Sequence, residues 1–322
     1  MQKIFFFILV QILAGYHNLF SQNIVIQNNT KIVIAHRGAS GYLPEHTLAS
    51  KLMAYAMQPN FLEQDLVLSK DNIPMVIHDI YLEDITDVAK IFPNKIRKDG
   101  RFYVIDFTYK ELLELNVFER FDPKTNKAEF PDRFPLGMSR FGLHSFQEEI
   151  ELIQGLNKST GGNIGIYPEI KNPEFHLKNG KDISKIVLEI LSENGYNTKS
   201  DNCILQCFDP KELQRIRMDL KSKLFLVQLI GFEINENHLK KFATYADGIG
   251  PWYKQVAKNK NLIIEAHRLG MKVHAFTFRV EDLGDFKSFE NLLDFGFNNL
   301  NLDGVFTDFP DKAVSFLKSA KN

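Results

Sequence analysis

The chain has 322 residues, 44% of them hydrophobic and 25% charged, with a formal net charge of -1. This is ordinary globular composition, enough for a sizeable core, and a single α/β barrel reaches this length without a second domain. The balanced charge gives no general argument for nucleic acid or an anionic membrane surface as partner, so an anionic substrate has to be met by local cations.

Residues 1–21 differ from the rest. Lys3 is their only charge, the apolar run IFFFILV and QILAG is broken by Gln11, and small Ser21 precedes polar sequence. This predicts a secretory signal peptide, too short for a membrane span, and a mature chain in the periplasm or outside the cell with no stable membrane insertion. No cysteine lies near the expected cut. Cys203 and Cys207 are the whole thiol complement. On one extended strand their Cα atoms would lie on the order of 13 Å apart, and a disulfide needs less than about 7 Å. Both are read as packed thiols.

The first predicted strand, Ile32–Ala35, runs into His36-Arg37-Gly38 and then small, turn-forming residues. Histidine moves protons near neutral pH, arginine offers a planar fork to phosphate, and glycine admits a close backbone. Thr47 caps a helix whose expected apolar face is Leu48, Leu52, Tyr55 and Ala56. A second strand follows at Phe61–Leu68. Side chains alternate, so Glu63 and Asp65 share a face, where they repel unless a cation or proton lies between them. The apolar flanks Phe61, Leu62, Leu66 and Val67 argue against an exposed edge.

The turn SKDN is too short for a parallel crossover, so 66–69 and 75–78 are expected to form a hairpin at the barrel mouth. It returns His78 toward His36, Glu63 and Asp65, with Asp79 able to orient an imidazole or cap a turn. Residues 80–144 lack periodicity but are rich in Phe and Pro. A structureless loop of this length is improbable in a compact domain, which predicts an insertion subdomain with its own apolar contacts. Ser145 and Glu148 form a capping box for the next helix.

Ile164–Ile170 is the third strand, with Glu169 and Lys171 on one face at its carboxyl end, the functional end of a barrel strand. Strand and helix then alternate, with further strands starting near 203, 224, 247, 272 and 304. The pattern predicts a (β/α)₈ TIM barrel with the hairpin and insertion after the second strand. Trp252 follows a strand end and suits either core packing or a wall against substrate. His274 and Phe276 share a strand face and either line the pocket or pack in the barrel. His144, His176 and His267 read as surface or helix residues outside any constellation.

The segment IAHRGASGYLPEHT at 34–47 resembles the signature of the glycerophosphodiester phosphodiesterase family, as do LEQD at 62–65, VIHD at 76–79, YPEIK at 167–171, LQCFD at 205–209, DGIGP at 247–251 and FTDFPDKAV at 306–314. These matches span nearly all of the mature chain, residues 30–322, and resemble most the bacterial periplasmic type. His46 stands where Asn is usual. The resemblance implies metal-dependent hydrolysis of a small glycerophosphodiester to sn-glycerol 3-phosphate and an alcohol. In that reading Glu63, Asp65 and Glu169 hold one divalent cation, calcium being favoured and magnesium the other hard ion. Arg37 and Lys171 hold phosphate, while Trp252 and Phe276 contact substrate. His36 and His78 serve as base and acid, with the opposite division left open. It also implies that a glycerol hydroxyl attacks first, giving a cyclic phosphate that water opens, and that the insertion covers one side of the site. The residue just before Tyr253 and the length of 231–246 depart from close relatives, which bears on alcohol specificity. The other readings are a phosphodiesterase acting on teichoic acid or lysophospholipid, a non-catalytic binding protein for the diester, and a structural surface protein.

Overall fold

The computed structural model describes residues 31–319. The expected signal peptide at 1–21 lies outside them. Strands β1 (Ile32–Ala35), β2 (Phe61–Leu68), β6 (Gly165–Ile170), β7 (Ile204–Cys207), β8 (Phe225–Ile230), β9 (Gly248–Pro251), β10 (Lys272–Phe278) and β11 (Gly304–Thr307) make the barrel. Each pairs in parallel with its neighbours, and β1 joins both β11 and β2, which closes the ring. The remaining strands belong to the excursion after β2: β3 (Pro74–Val76), antiparallel to β2, and a small ribbon of β4 (Phe121–Asp122) and β5 (Lys127–Ala128).

Helices follow the barrel strands in turn: α1 (Leu48–Ala56), α2 (Phe146–Thr160), α3 (Ile183–Glu193), α4 (Pro210–Met218), α5 (Glu236–Phe242), α6 (Asn261–Arg268), α7 (Phe289–Asp294) and α8 (Pro310–Ser319). Their starts carry local signals. Thr47 caps α1, Ser145 and Glu148 form the expected capping box of α2, and Asp209 caps α4 ahead of Pro210. Among the described residues no helix is long and apolar enough to cross a membrane.

Alternation along the strands sorts the core into layers. Inside the barrel, Ile32, Ile34, Phe61, Tyr167, Ile204, Val227 and Phe306 pack together. Between strands and helices lies the larger apolar cluster, including Leu62, Leu66, Ile166, Leu205 and Ile249. A separate cluster ties the hairpin to the insertion through Val67, Met75, Ile77, Phe102, Val104, Phe107 and Val117. Residues 80–144 thus carry apolar contacts of their own and dock on β2 and β3. Cys203 and Cys207 are buried free thiols.

Two expectations need correction. In α1 the inward face is Ser50, Lys51, Ala54 and Tyr55, while Leu52 and Ala56 are exposed. The helix is turned by Lys51, whose fully buried ammonium donates to the Glu63 backbone carbonyl and pairs with Glu149 of α2 at 3.0 Å. His144 is likewise a buried residue, bonded to Glu149 at 2.7 Å, and Gln64 donates to the same carboxylate at 2.8 Å. His176 and His267 lie on helices as expected, although His176 is buried.

This polar knot sits behind the strand that carries Glu63 and Asp65. Lys51→Ala leaves a buried carboxylate short of its cation, and such losses are worth roughly 3–5 kcal/mol; urea unfolding should show a drop of that order, and a drop under about 1 kcal/mol would contradict it. Burial alone would raise Glu149, but Lys51, His144 and Gln64 hold it at about 2, below the ordinary 4.5. A depressed carboxylate stabilises fully above its unfolded value and loses that contribution as pH falls through its folded value. The stability gap between wild type and Glu149→Gln should therefore narrow as pH drops from 4.5 toward 2.

Candidate active site

His36, Arg37, Glu63, Asp65, His78, Glu169, Lys171, Trp252 and Phe276 all line one cavity of about 260 Å³ at the carboxyl mouth of the barrel. Parallel register builds its acidic centre. Asp65 of β2 lies beside Glu169 of β6, and Glu63 beside Tyr167. Because Glu63 and Asp65 are two apart, both project inward, and carboxylate oxygens of Glu63, Asp65 and Glu169 come within 4.8 Å of one another.

Three buried carboxylates this close are electrostatically costly. Burial, then Asp65 and Glu169, push Glu63 well above the usual range, and burial lifts Glu169 to about 8 despite Lys171. Burial opposes ionisation of Asp65 too, but Lys171 and the His46 hydrogen bond outweigh it and hold Asp65 well below its ordinary value. Lys171 lies 2.8 Å from Glu169 and 3.8 Å from Asp65. Asp65 Oδ1 is buried without a hydrogen-bond partner. An all-oxygen donor set with an orphaned carboxylate oxygen fits a hard divalent cation.

The turn after β1 supplies a histidine and an arginine in fixed positions. Gly38 has φ +88, and a Cβ there would meet Ser50 Oγ at 2.5 Å, so the close approach of α1 requires glycine. Arg37 adopts φ 55, donates its backbone N–H to Glu63 at 2.9 Å, and binds Glu45 through Nη1 at 2.8 Å. Its Nε is buried without a hydrogen bond, 3.7 Å from Asp65 Oδ2. His46, at φ 58, occupies the left-handed region that Asn and His tolerate better than most residues, and its Nε2 meets Asp65 at 2.7 Å.

Each histidine in the cavity is backed by a carboxylate. His36 Nδ1 meets Asp308 at 2.5 Å and His78 Nδ1 meets Asp79 at 2.9 Å. Burial is the main reason both imidazoles fall to about 4, with Asp308 opposing the shift at His36, and Arg37 and Lys171 adding to it at His78. The insertion holds both aspartates. Arg133 binds Asp308 at 2.6 Å, and Arg120 bridges Asp79 at 2.7 Å and Glu45 at 2.6 Å. Arg279 also binds Asp308, at 2.7 Å.

Sequence reasoning misses these supports. Asp308 and Glu45 lie inside the segments at 306–314 and 34–47 but are given no role there, and Arg120, Arg133 and Arg279 carry no local pattern that marks them. Gln206, which donates to Glu63 at 3.1 Å, is another neighbour of the cluster that lies within LQCFD at 205–209 but is given no role there. The available signal is the alternation along LQCF, which puts 206 and 208 on one face, and the Asp in FTDFP at a strand end. His274 packs inside the barrel, bonded to Tyr167 at 2.9 Å, and is absent from the cavity lining.

An eight-stranded parallel barrel with two imidazoles, three carboxylates, a guanidinium and an ammonium gathered at its carboxyl mouth defines a TIM-barrel enzyme. Residues 36–312 match the model of the glycerophosphoryl diester phosphodiesterase family. The chain is similar to the glycerophosphodiester phosphodiesterase of Haemophilus influenzae, 46% identical across 90% of this chain and 91% of the relative. It is 37% identical to that of Treponema pallidum, over 89% and 92%. Among solved structures, a phosphodiesterase of Oleispira antarctica in complex with the product sn-glycerol-3-phosphate shares the fold at TM-score 0.64 and 22% identity, covering 90% of this chain and 97% of that one. The chain belongs to the glycerophosphoryl diester phosphodiesterase family and is an enzyme of that activity.

If Asp308 orients His36, Asp308→Asn should lower kcat by roughly 10²-fold or more while KM changes little. A change confined to KM would contradict that link.

Proposed function

We propose that this enzyme hydrolyses small glycerophosphodiesters to sn-glycerol 3-phosphate and an alcohol, with one divalent cation, calcium before magnesium, held by Glu63, Asp65 and Glu169. The observation that carries the reading is the convergence of those three carboxylates with two imidazoles, a guanidinium and an ammonium in one cavity. The product bound by the Oleispira antarctica neighbour supports the glycerophosphate half. When bound, the cation neutralises charge on a phosphate oxygen and makes a glycerol hydroxyl more acidic.

The protein side chains do the rest. The Nε of Arg37, which makes no hydrogen bond of its own, and the ammonium of Lys171 take phosphate oxygens. His36, neutral at physiological pH and aligned by Asp308, removes the proton from the attacking glycerol hydroxyl. His78 gives a proton to the departing alkoxide. It is depressed by burial, then Arg37 and Lys171, and the negative phosphate between those cations restores its proton affinity. Attack by the neighbouring hydroxyl closes a cyclic phosphate, and water opens it as the two histidines exchange roles. Holding the nucleophile in the same molecule gives the intramolecular advantage.

The N-terminal pattern of Lys3, the apolar run and Ser21 supports export, with action in the periplasm or outside the cell. The closed oxygen donor set and intact histidines favour catalysis over a binding or structural role.

The deciding experiment is sn-glycerol 3-phosphate release from glycerophosphocholine by the chain lacking residues 1–21, stripped with chelator and then given calcium or magnesium. Release should depend on the added ion. His36→Ala and His78→Ala should each lower kcat by roughly 10²–10⁴-fold. A diester of 1,3-propanediol, which lacks the neighbouring hydroxyl, should turn over far more slowly, and turnover at a comparable rate would sink the cyclic route. Ion-independent release would sink the three-carboxylate role.

A further inference from the structure

Glu119 is a buried titratable group that the chemistry above does not use. It lies in the insertion, 4% exposed, with Oε2 buried and without a hydrogen-bond partner. The charged groups that face it are Arg133, Glu45, Asp308 and Arg120, which belong to the supports behind the two histidines. We propose that Glu119 is a positioning residue for His36 and His78: held as a neutral acid, it packs between Arg133 and Arg120 without drawing either guanidinium off its aspartate. The proposal rests on the acid–base roles given to those histidines and adds the group that keeps their supports in balance.

Three observations carry it. The first is the backbone. Val117 pairs with Thr86 and Phe141, the Phe118 N–H donates to the Ile85 carbonyl at 2.7 Å, and the Phe121 N–H donates to that of Asp84 at 3.0 Å. The chain is pinned on both sides of Glu119, which keeps its carboxyl inside.

The second is how the two arginines use their nitrogens. Arg120 directs Nε and Nη2 to Glu45 and Nη1 to Asp79. Arg133 directs Nε to Glu281, Nη1 to the Ser40 carbonyl and Nη2 to Asp308. Every nitrogen of both guanidiniums thus has an acceptor other than Glu119.

The third is charge. Arg37, Arg120, Arg133 and Arg279 pair with Glu45, Asp79, Asp308 and Glu281, four cations with four anions. An ionised Glu119 is a fifth anion in this set with no cation of its own, and burying an unpaired charge is costly. Burial pushes Glu119 up to about 8, with Glu45 and Asp308 adding to the rise and Arg133 and Arg120 opposing it. Once ionised, Glu119 competes with Asp308 for Arg133 and with Asp79 for Arg120. Either loss loosens the aspartate that aligns an imidazole, so proton transfer slows.

The test is the pH dependence of kcat and KM for glycerophosphocholine, using the chain lacking residues 1–21 with its divalent ion supplied, in wild type, Glu119→Gln and Glu119→Asp. Wild-type kcat should fall by roughly tenfold as pH rises past about 8, with KM moving less than kcat. Glu119→Gln cannot ionise and should lose that decline, whereas Glu119→Asp should keep one. A merely structural role moves no such limb. Stability gives a readout independent of turnover. A carboxyl raised in the folded state costs wild type stability as pH climbs from 4.5 to about 8, so Glu119→Gln should gain on wild type over that range in urea unfolding. Wild-type kcat that stays level past pH 8, a decline unchanged in Glu119→Gln, or no gain in its stability would each overturn the proposal, the first even if both variants fail to fold. Normal turnover by both His36→Ala and His78→Ala would instead overturn the acid–base reading, and the role of Glu119 with it.

Discussion

The structure depends on keeping three carboxylates buried within 4.8 Å of each other. Left to themselves they would take up protons or push β2 and β6 apart. The parallel pairing of Asp65 with Glu169 prevents the second outcome by fixing both backbones. Four kinds of donor limit the first: the Lys171 ammonium, the His46 ring, the Arg37 backbone N–H and the Gln206 amide. Behind the strand, Lys51 is buried against the Glu63 carbonyl and Glu149, so positive charge backs the acidic face from outside the barrel as well. A cluster held in this partly compensated state could bind a metal ion, because full compensation by protein groups would leave nothing for the ion to neutralise.

The insertion belongs to the same electrostatic problem. Its aromatic core docks it on the hairpin, and this places Arg120 and Arg133 at the two aspartates behind the histidines. Arg120 reaches Glu45, which in turn holds Arg37, so one guanidinium ties Arg37 to the His78 side of the pocket. The segment that looks least regular in the sequence therefore sets the orientation of both imidazoles. Burial lowers both rings to about 4, and the paired carboxylates keep those rings able to accept a proton.

Much of this is legible in the amino-acid sequence. The barrel follows from strand–helix alternation, and its strands lie within a residue of the expected starts. Glu63, Asp65 and Glu169 are legible because period-2 alternation and strand-end position are local properties. His78 is legible because a turn too short for a crossover forces a hairpin. Asp308 is not, since its partner His36 lies 272 residues away and an Asp-Phe-Pro at a strand end reads equally as a helix cap. Arg120 and Arg133 are hidden because the insertion has neither period. The α1 face is misread for a related reason: apolar spacing favours Leu52, but a buried ion pair turns Lys51 inward instead.

The division of the mouth into a polar and an apolar half follows from the order of the strands. The acidic cluster, Arg37 and Lys171 come from β1, β2 and β6, which are neighbours in the ring, whereas the aromatic walls Phe208, Trp252 and Phe276 belong to the β7-to-β10 side. A phosphodiester is itself divided this way, with a charged centre and two neutral arms. Arg279 and Asp282 also line the cavity from the β10 side, so the division is one of predominance, with the acidic cluster, Arg37 and Lys171 on one arc and the aromatic walls on the other. The charged arc is held in place by the cluster and the insertion, while the β8–α5 connection bears no part of that network and is free to shorten or lengthen without disturbing the chemistry.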